Sequence, residues 1–233
     1  MKSLQKALDI LEYAVLQNGE RVTPSRAADA LSINLATCTR IMGELVKRGY
    51  LVQISRKEGY IPGPMIPSLG TRHNSYEILA AAARTPIEKL SEHLGCQVNF
   101  SVMHGGQRIM LCYHLSRQAL RPWDRFTFSD HWETATGRLL LAAMDEREGR
   151  KVAVASGIQP FPRKELARIR QSGWIRFRQG RLEIIGHLID FPGYPAAAFG
   201  FGVPPEQADR AFELSGKTAA EIINILNQPN QSY

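Results

Sequence analysis

Apolar residues recur at helical spacing near the start of the chain. They lie three or four positions apart, at Leu4, Ala7, Leu8, Leu11 and Val15. This periodicity predicts an amphipathic helix over residues 3–18, with Ser3 as its N-cap and Gly19 as its stop. The apolar side of such a helix must pack against other elements of the same domain.

Two more helices are predicted over residues 24–31 and 35–48. Thr23 and Pro24 have the order of a cap followed by a proline at the first helical position. The turn at residues 32–34 separates the two helices, and Gly49 ends the second. The helical pattern places Leu35, Cys38, Ile41, Met42, Leu45 and Val46 on the inner face of this third helix, and Thr37, Thr39, Arg40, Glu44 and Lys47 on the outer face.

The third helix is followed by a pattern typical of two short strands. Residues 50–54 and 60–61 are rich in β-forming side chains, and residues 55–59 between them suit a turn. Three helices followed by a two-stranded wing predict a winged helix-turn-helix, in which the third helix enters the major groove of double-stranded DNA.

The outer face of the third helix supplies the candidate base contacts. Arg40 can donate to O6 and N7 of guanine together, while Thr37 and Thr39 suit phosphates or thymine methyl groups. The alternative interpretation is an ordinary solvated helix face, and Arg56 equally suits a plain surface residue. The candidate DNA-binding set is Ser25, Arg26, Asn34, Thr37, Thr39, Arg40, Arg56 and Lys57. Cys38 is predicted to lie in the core.

The rest of the chain predicts an α+β domain. Residues 65–84 form a helical connector, and Thr85 and Pro86 open a new helix that runs to Leu94. Strands are predicted over residues 97–103, 108–114, 174–178, 182–189 and 196–203, and helices over 137–144, 164–170 and 205–226. The domains are therefore placed at residues 1–64 and 85–233, with the connector between them.

Composition narrows the class of protein. A hydrophobic content of 44% and a charged content of 22% are ordinary for a folded protein, and the net charge of +7 favours polyanionic partners. The three cysteines are far apart and the histidines lack metal-motif spacing, so neither a disulfide framework nor a metal site is expected. The sequence has no P-loop or dinucleotide fingerprint either, so no cofactor is expected. Without a membrane-spanning run or a catalytic motif, we expect a cytoplasmic protein that is not an enzyme.

The N-terminal residues resemble those of the IclR-type transcriptional regulators. The resemblance rests on residues 3–11, on residues 35–51 and on the wing exit at residues 59–63. It implies a homodimer or tetramer bound to a pseudo-palindromic operator. The order of the later elements is similar to that family's GAF-like domain, an antiparallel sheet flanked by helices that senses small metabolites, often organic acids. The family's Thr-Ala-x-Gly-Lys turn corresponds to residues 134–138, with arginine for lysine.

The segment from His131 to Gly137 is the leading candidate for an effector site. Helix N-terminal amides and threonine hydroxyls can receive a carboxylate, although an ordinary capped helix start has the same pattern. Cys112 suits either a pocket wall or inward sheet packing. The candidate effector set is Cys112, His131, Thr134, Thr136, Gly137, Arg178 and Glu183. Alternatively, the C-terminal domain binds no ligand and serves only to dimerise or to dock a protein partner.

Overall fold

The computed structural model describes residues 2–17, 19–55, 57–70, 74–116 and 126–228. The chain divides into two compact units, one comprising the described residues up to Gly70 with Phe126 and the other residues 74–116 and 127–228. None of the described helices is long and apolar enough to cross a membrane. The predicted connector of residues 65–84 is not tested by this division and stays a prediction.

The N-terminal unit has four helices and a two-stranded sheet. In chain order they are α1 (Lys2–Leu16), α2 (Pro24–Leu31), α3 (Leu35–Lys47), β1 (Leu51–Ser55), β2 (Gly59–Pro62) and α4 (Met65–Gly70). β1 and β2 are antiparallel and form the predicted wing. Ser3 lies inside α1, so its prediction as an N-cap is wrong.

Side-chain caps fix where α2 and α3 begin. Thr23 Oγ1 accepts a hydrogen bond from the Arg26 amide at 3.2 Å, and Pro24 follows it in the first turn. Asn34 Oδ1 accepts from the amides of Ala36 at 3.0 Å and Thr37 at 3.3 Å. Each cap satisfies amides that have no partner within their own helix, and together they fix the tight turn between the helices.

One apolar core joins the helices of this unit to its wing. Its buried members are Ile10, Ala14, Val22, Ala27, Ala28, Ile33, Cys38, Ile41, Met42, Leu51 and Tyr60. Cys38 is fully buried, which confirms the prediction, and burial raises the pKa of its thiol. Gly59 has a φ of +92°, and a Cβ there would lie 2.5 Å from the Val22 carbonyl oxygen. Only glycine allows β2 to approach Val22 this closely.

The C-terminal unit is a six-stranded antiparallel sheet between two layers of helices. Its elements are α5 (Ser75–Leu94), β3 (Gln97–His104), β4 (Gln107–Leu115), β5 (Thr127–Phe128), α6 (Ala135–Ala143), α7 (Glu146–Ala155), α8 (Arg163–Ser172), β6 (Trp174–Gln179), β7 (Leu182–Ile189), β8 (Ala197–Val203) and α9 (Ala208–Asn227). The strand order is β5-β4-β3-β8-β7-β6.

Alternation along the strands divides their side chains between two cores. Val98, Phe100, Phe199 and Phe201 face α5 and α9, whose apolar residues complete the larger core. Ala198 and its neighbours on the opposite face pack against α6, α7 and α8. β3 and β8 are paired in the middle of the sheet, and residues of both strands contribute to both cores.

Three elements differ from the prediction. α5 is one continuous helix with Pro86 inside it, so Thr85 does not begin a new helix. Leu79 and Ala83 before the proline and Ile87 and Leu90 after it are all buried in one core, and this packing outweighs the local cost of the proline. β5 and α7 were not predicted. Asp145 caps the start of α7, where its Oδ1 accepts from the Glu148 amide at 3.0 Å.

Candidate nucleic-acid interface and effector site

The outward stripe of α3 combines apolar and polar side chains. Its exposed members are Leu35, Ala36, Thr39, Arg40, Glu44 and Lys47. Thr39 and Arg40 point outward as predicted, while Thr37 is half-buried. Leu35 was expected in the core, but 52% of it is exposed, so that prediction is wrong. The reason is positional: Leu35 follows the Asn34 cap directly, in the first turn, before the inward stripe starts at Cys38.

Arg40 is the cation of this stripe whose donors have no partner among the described residues, although its charge helps to lower the pKa of the Glu44 carboxyl one turn away. It forms no hydrogen bond or ion pair with any described residue. By contrast, Lys47 lies 2.7 Å from Glu44, and this contact lowers the pKa of the Glu44 carboxyl. Thr39 Oγ1 donates to the Leu35 carbonyl at 2.9 Å, and its oxygen can still accept. The stripe therefore offers a guanidinium, a hydroxyl acceptor and an apolar group side by side.

The other candidate DNA contacts differ in how free their side chains are. Arg26 donates to Glu20 Oε2 at 3.0 Å and to Gln17 Oε1 at 2.9 Å, and the Glu20 contact raises its pKa. Ser25 is exposed, with its hydroxyl 3.1 Å from Thr23 Oγ1. Asn34 is occupied as the cap of α3.

The wing supplies one more candidate within the described residues. Lys57 is exposed at the wing turn, whereas Arg56 lies outside the described residues. An ion pair between Arg21 and Glu58 ties the turn to the loop after α1, and the Glu58 amide donates to Ser55 Oγ at 3.0 Å. Lys57 is thus held on an anchored turn, which suits contact with a phosphate.

The seven effector candidates fall on two sides of the sheet. Those gathered at the start of α6 are His131, Thr134, Thr136 and Gly137. Cys112 lies on the α5 side, where its sulfur approaches the Ala80 carbonyl at 3.9 Å and burial raises its pKa to about 12. Glu183 lies on the α9 side and pairs with Arg176 at 3.2 Å, while Arg178, its partner across the hairpin, donates to Gly180. These three do not join the first four.

A buried guanidinium is the centre of the α6 side. Arg108 of β4 is only 1% exposed. Its Nη1 donates to Thr136 Oγ1 at 3.0 Å, its Nη2 lies 2.5 Å from Asp130 Oδ1, and its carbon lies 4.6 Å from the centroid of the Phe128 ring. Thr136 lies 3.5 Å from Asn99 Oδ1, which connects the cluster to the centre of β3. Burial lowers the pKa of Arg108, and Asp130 opposes that shift.

Two buried polar atoms of this cluster have no hydrogen-bond partner among the described residues. They are Arg108 Nε and His131 Nδ1. His131 Nε2 lies 3.0 Å from the Gly106 carbonyl oxygen, so Nε2 carries the proton and Nδ1 is an acceptor. Burial lowers the pKa of His131, and the nearby Arg108 charge adds to this effect. An unpaired donor and an unpaired acceptor therefore lie in one cluster. Such groups normally find partners.

Glycines seat the start of α6 directly on the sheet. A Cβ at Gly186 would lie 2.7 Å from Ala135 Cβ, and one at Gly200 would lie 3.0 Å from the same atom. At Gly137 a Cβ would lie 2.2 Å from the His131 carbonyl oxygen. The helix start, the segment before it and β7 and β8 are thus packed without room for even one added carbon.

Arg138 replaces the lysine expected from the resemblance and fixes the helix from its outer side. Its guanidinium lies 4.5 Å from the Trp132 ring centroid and 3.9 Å from that of Phe177. Nε donates to the Trp132 carbonyl at 2.6 Å, and Nη1 pairs with Glu165 at 3.2 Å. A planar guanidinium can stack on both rings while it donates in its own plane.

Sequence reasoning missed Asn99, Ser101, Arg108 and Asp130 as members of this cluster. The alternation of β3 contained a signal, because Asn99 and Ser101 alternate with the buried Val98, Phe100 and Val102. Arg108 lies two positions after Gly106 of the hairpin turn, and the sequence predicts it only as a strand residue. Nothing local marks Asp130, since its role depends on a partner 22 positions earlier. Among the described residues, no group of three or more His, Cys, Asp or Glu is placed to hold a metal ion.

The fold defines a class of protein: a winged helix-turn-helix unit in one chain with an α+β unit of GAF-like layout. Residues 3–55 match the family model of the IclR helix-turn-helix domain. The N-terminal unit is therefore similar to the IclR helix-turn-helix domain over most of its described length. No curated protein is similar enough in sequence to match the chain.

Solved structures extend the likeness to the whole chain. An IclR homolog from Microbacterium hydrocarbonoxydans, complexed with 4-hydroxybenzoate, has a TM-score of 0.73 at 18% identity, with coverage of 97% of this chain and 100% of that one. IclR of Thermotoga maritima has a TM-score of 0.64 at 21% identity, covering 97% and 99%. A transcriptional regulator from Alicyclobacillus acidocaldarius has a TM-score of 0.70 at 16% identity, with coverage of 97% of this chain and 98% of that one. The chain thus has the fold of IclR-type transcriptional regulators, which confirms the predicted resemblance and fold class.

Proposed function

We propose that this protein is a transcriptional regulator that binds a pseudo-palindromic operator through α3, as a homodimer or tetramer, and that a small organic effector modulates this binding. The observation that carries the proposal is the exposed stripe of α3, where Arg40 lies unpaired beside Thr39 and Leu35 in an IclR helix-turn-helix domain. A free guanidinium on the first turns of a recognition helix is placed for bidentate donation to guanine.

The charged residues around the exposed stripe of α3 suit different kinds of DNA contact. Arg26 is held by Glu20 and Gln17, so it suits a positional contact with phosphate better than base readout. Lys57 on the wing supplies sequence-independent attraction. With a net charge of +7, the chain as a whole is also attracted to a polyanion.

The effector half of the proposal rests on the polar cluster under α6. It contains a buried cation, hydroxyl groups and two unpaired polar atoms, which is a suitable lining for a small polar ligand. The neighbour from Microbacterium hydrocarbonoxydans was crystallised with 4-hydroxybenzoate. We infer that a small organic acid or aromatic compound is the class to test first.

A second candidate function is a C-terminal unit that only dimerises or docks a protein and binds no ligand. The close seating of Ala135 on Gly186 and Gly200 favours it, because the helix start already fills the space above these strands. Thermal unfolding in the presence of 4-hydroxybenzoate and other small acids separates the two functions, since a ligand that binds only the folded state raises the unfolding midpoint.

Selection of bound sites from random duplex DNA is the direct test of the DNA-binding half. On the selected operator, we expect Arg40→Ala to weaken binding by about 1–3 kcal/mol and to relax the preference at one base pair. Arg48→Ala is the matched control, because Arg48 is also an exposed arginine but lies two turns further on, as the C-cap of α3. Equal losses in the two variants, measured as dissociation constants at one salt concentration, would show that Arg40 contributes only charge.

A further inference from the structure

The Arg108 guanidinium has two donors on the side that carries Nε and Nη2, and only Nη2 has a hydrogen-bond partner among the described residues. Nε–H and the neighbouring N–H of Nη2 point in the same direction, as the two parallel donors that a carboxylate binds together. Asp130 Oδ1 accepts from Nη2 at 2.5 Å, while Nε is buried and has no partner among the described residues. Asp130 therefore engages one donor of a pair.

Asp130 differs from Arg108 in how it is held. Arg108 is 1% exposed, whereas the Asp130 side chain is 40% exposed. Arg108 belongs to β4 and is tied to α6 through Thr136, but Asp130 lies in the segment between β5 and α6. The carboxylate is thus the solvent-facing and replaceable partner, and the guanidinium is the fixed one.

We propose that Asp130 is a built-in occupant of an anion site on Arg108, and that the carboxylate of a small organic acid regulates the protein by displacing it. The incoming carboxylate accepts from Nε and Nη2 together and so makes the second bond that Asp130 leaves unmade. One carboxylate replaces another, which keeps the buried guanidinium neutralised throughout. The inference rests on the proposed effector-binding function and names the ligand's anchor and its competitor.

The displacement has a direct structural consequence. Asp130 precedes His131, whose Nε2 donates to Gly106, and the Asp130 carbonyl lies 3.4 Å from Thr134 Oγ1, the cap of α6. Release of Asp130 therefore loosens the segment that holds the start of α6 on the sheet. A ligand with a hydroxyl group would in addition find an unpaired acceptor at His131 Nδ1.

Asp130→Asn is the decisive variant, because it removes the competing charge and keeps the shape of the side chain. An internal competitor that fills the site nine-tenths of the time lowers apparent affinity about tenfold. We therefore expect acetate and 4-hydroxybenzoate to bind Asp130→Asn about tenfold more tightly than they bind the wild type. Binding is measured by calorimetry and by the unfolding midpoint, at ionic strength kept constant with chloride. Acetamide and 4-hydroxybenzamide, which lack the charge, should bind neither protein.

Two control variants separate this site from general electrostatics. Asp209→Asn also removes an exposed carboxylate from an arginine, since Asp209 pairs with Arg176 at 2.6 Å, and it should leave carboxylate binding at the wild-type level. Arg108→Lys keeps the positive charge without the pair of parallel donors, and it should lose most of the binding. Equal carboxylate binding by the wild type, Asp130→Asn and Arg108→Lys would overturn the proposal.

The unmodified protein provides a test that does not depend on a variant folding well. In a nitrogen-15 NMR spectrum, the Arg108 Nε–H signal, assigned by its loss in Arg108→Lys, should move downfield with acetate and not with acetamide. A signal that moves with neither compound contradicts the proposal. Operator binding is measured separately: if the wild type binds no DNA, the proposed function fails, and if it binds DNA while the Arg108 signal stays still, only this inference fails.

Discussion

The two units of this protein present their candidate sites in opposite ways. In the N-terminal unit, the site is an exposed stripe of one helix, and the residues that would contact DNA contribute little to the core. In the C-terminal unit, the polar cluster is buried and is assembled from β3, β4, α6 and the segment before α6. A substitution in the exposed stripe can therefore change binding without changing stability, whereas one in the buried cluster changes both.

The largest expected effect tests this contrast with two helical glycines. Gly137→Ala adds a Cβ that would lie 2.2 Å from the His131 carbonyl oxygen, so backbone must move. We expect it to lower the free energy of unfolding by about 3 kcal/mol. At Gly43 of α3, an added Cβ would meet no described atom within 4 Å beyond the adjacent residues and the nearby backbone of its own helix, so Gly43→Ala should be neutral or stabilising by up to about 1 kcal/mol. Urea denaturation followed by circular dichroism measures both. A Gly137→Ala protein as stable as the wild type would show that the helix start is not seated as described.

Mildly acidic pH should also change the stability of the two units to different extents. His187 is buried, with Nε2 2.9 Å from Ser215 Oγ, and burial lowers its pKa to about 4. Because the unfolded chain takes up this proton near its ordinary pKa of about 6.5, stability is complete above that pH and is lost as the pH falls toward 4. The loss is about 2–3 kcal/mol. Residues 2–70 contain no histidine, so the effect belongs to the C-terminal unit.

Tryptophan fluorescence measures this effect in proteins that all carry Trp123→Phe, because Trp123 lies outside the described residues. Trp132 and Trp174 lie in the C-terminal unit, and residues 2–70 contain no tryptophan. His187→Gln should reduce the pH dependence of the denaturation midpoint and leave the part due to His131, whose pKa burial also lowers. His104→Gln, at an exposed hairpin position, should keep the full dependence. If the denaturation midpoint of His187→Gln depends on pH as strongly as that of the wild type, other groups account for the proton uptake on unfolding.

The same contrast explains what sequence could predict. The Thr23 cap, the wing and the β3–β4 hairpin depend on neighbouring residues, and the structure confirms all three. The Thr85-Pro86 signal failed because packing on both sides of Pro86 holds one long helix together. Local chemistry identifies where a helix can begin, but tertiary contacts decide whether it does.

Site prediction followed the same rule. The outward direction of Thr39 and Arg40 follows from helical periodicity alone, so it could be predicted. His131, Thr134, Thr136 and Gly137 were brought together because they are neighbours in sequence. Arg108 and Asp130 become partners only through the pairing of β4 with β5 and the return of the chain to α6. No pattern within either segment contains that information.

Leu35 provides the smallest predicted effect and the sharpest test of the exposed stripe. An apolar side chain on the first turn of α3 has no core to fill, but it suits contact with a thymine methyl group. We expect Leu35→Ala to weaken operator binding by about 0.5–1 kcal/mol. Val154→Ala in α7 is the matched control, since Leu35 and Val154 are both 52% exposed. Replacing individual thymines of the operator by uracil removes only the methyl group, so one such replacement should weaken wild-type binding and leave Leu35→Ala unaffected. If every replacement weakens operator binding by the wild type and by Leu35→Ala equally, Leu35 contacts no methyl group and its exposure has another cause. If one replacement weakens binding by the wild type alone, an exposed apolar residue contributes to base readout.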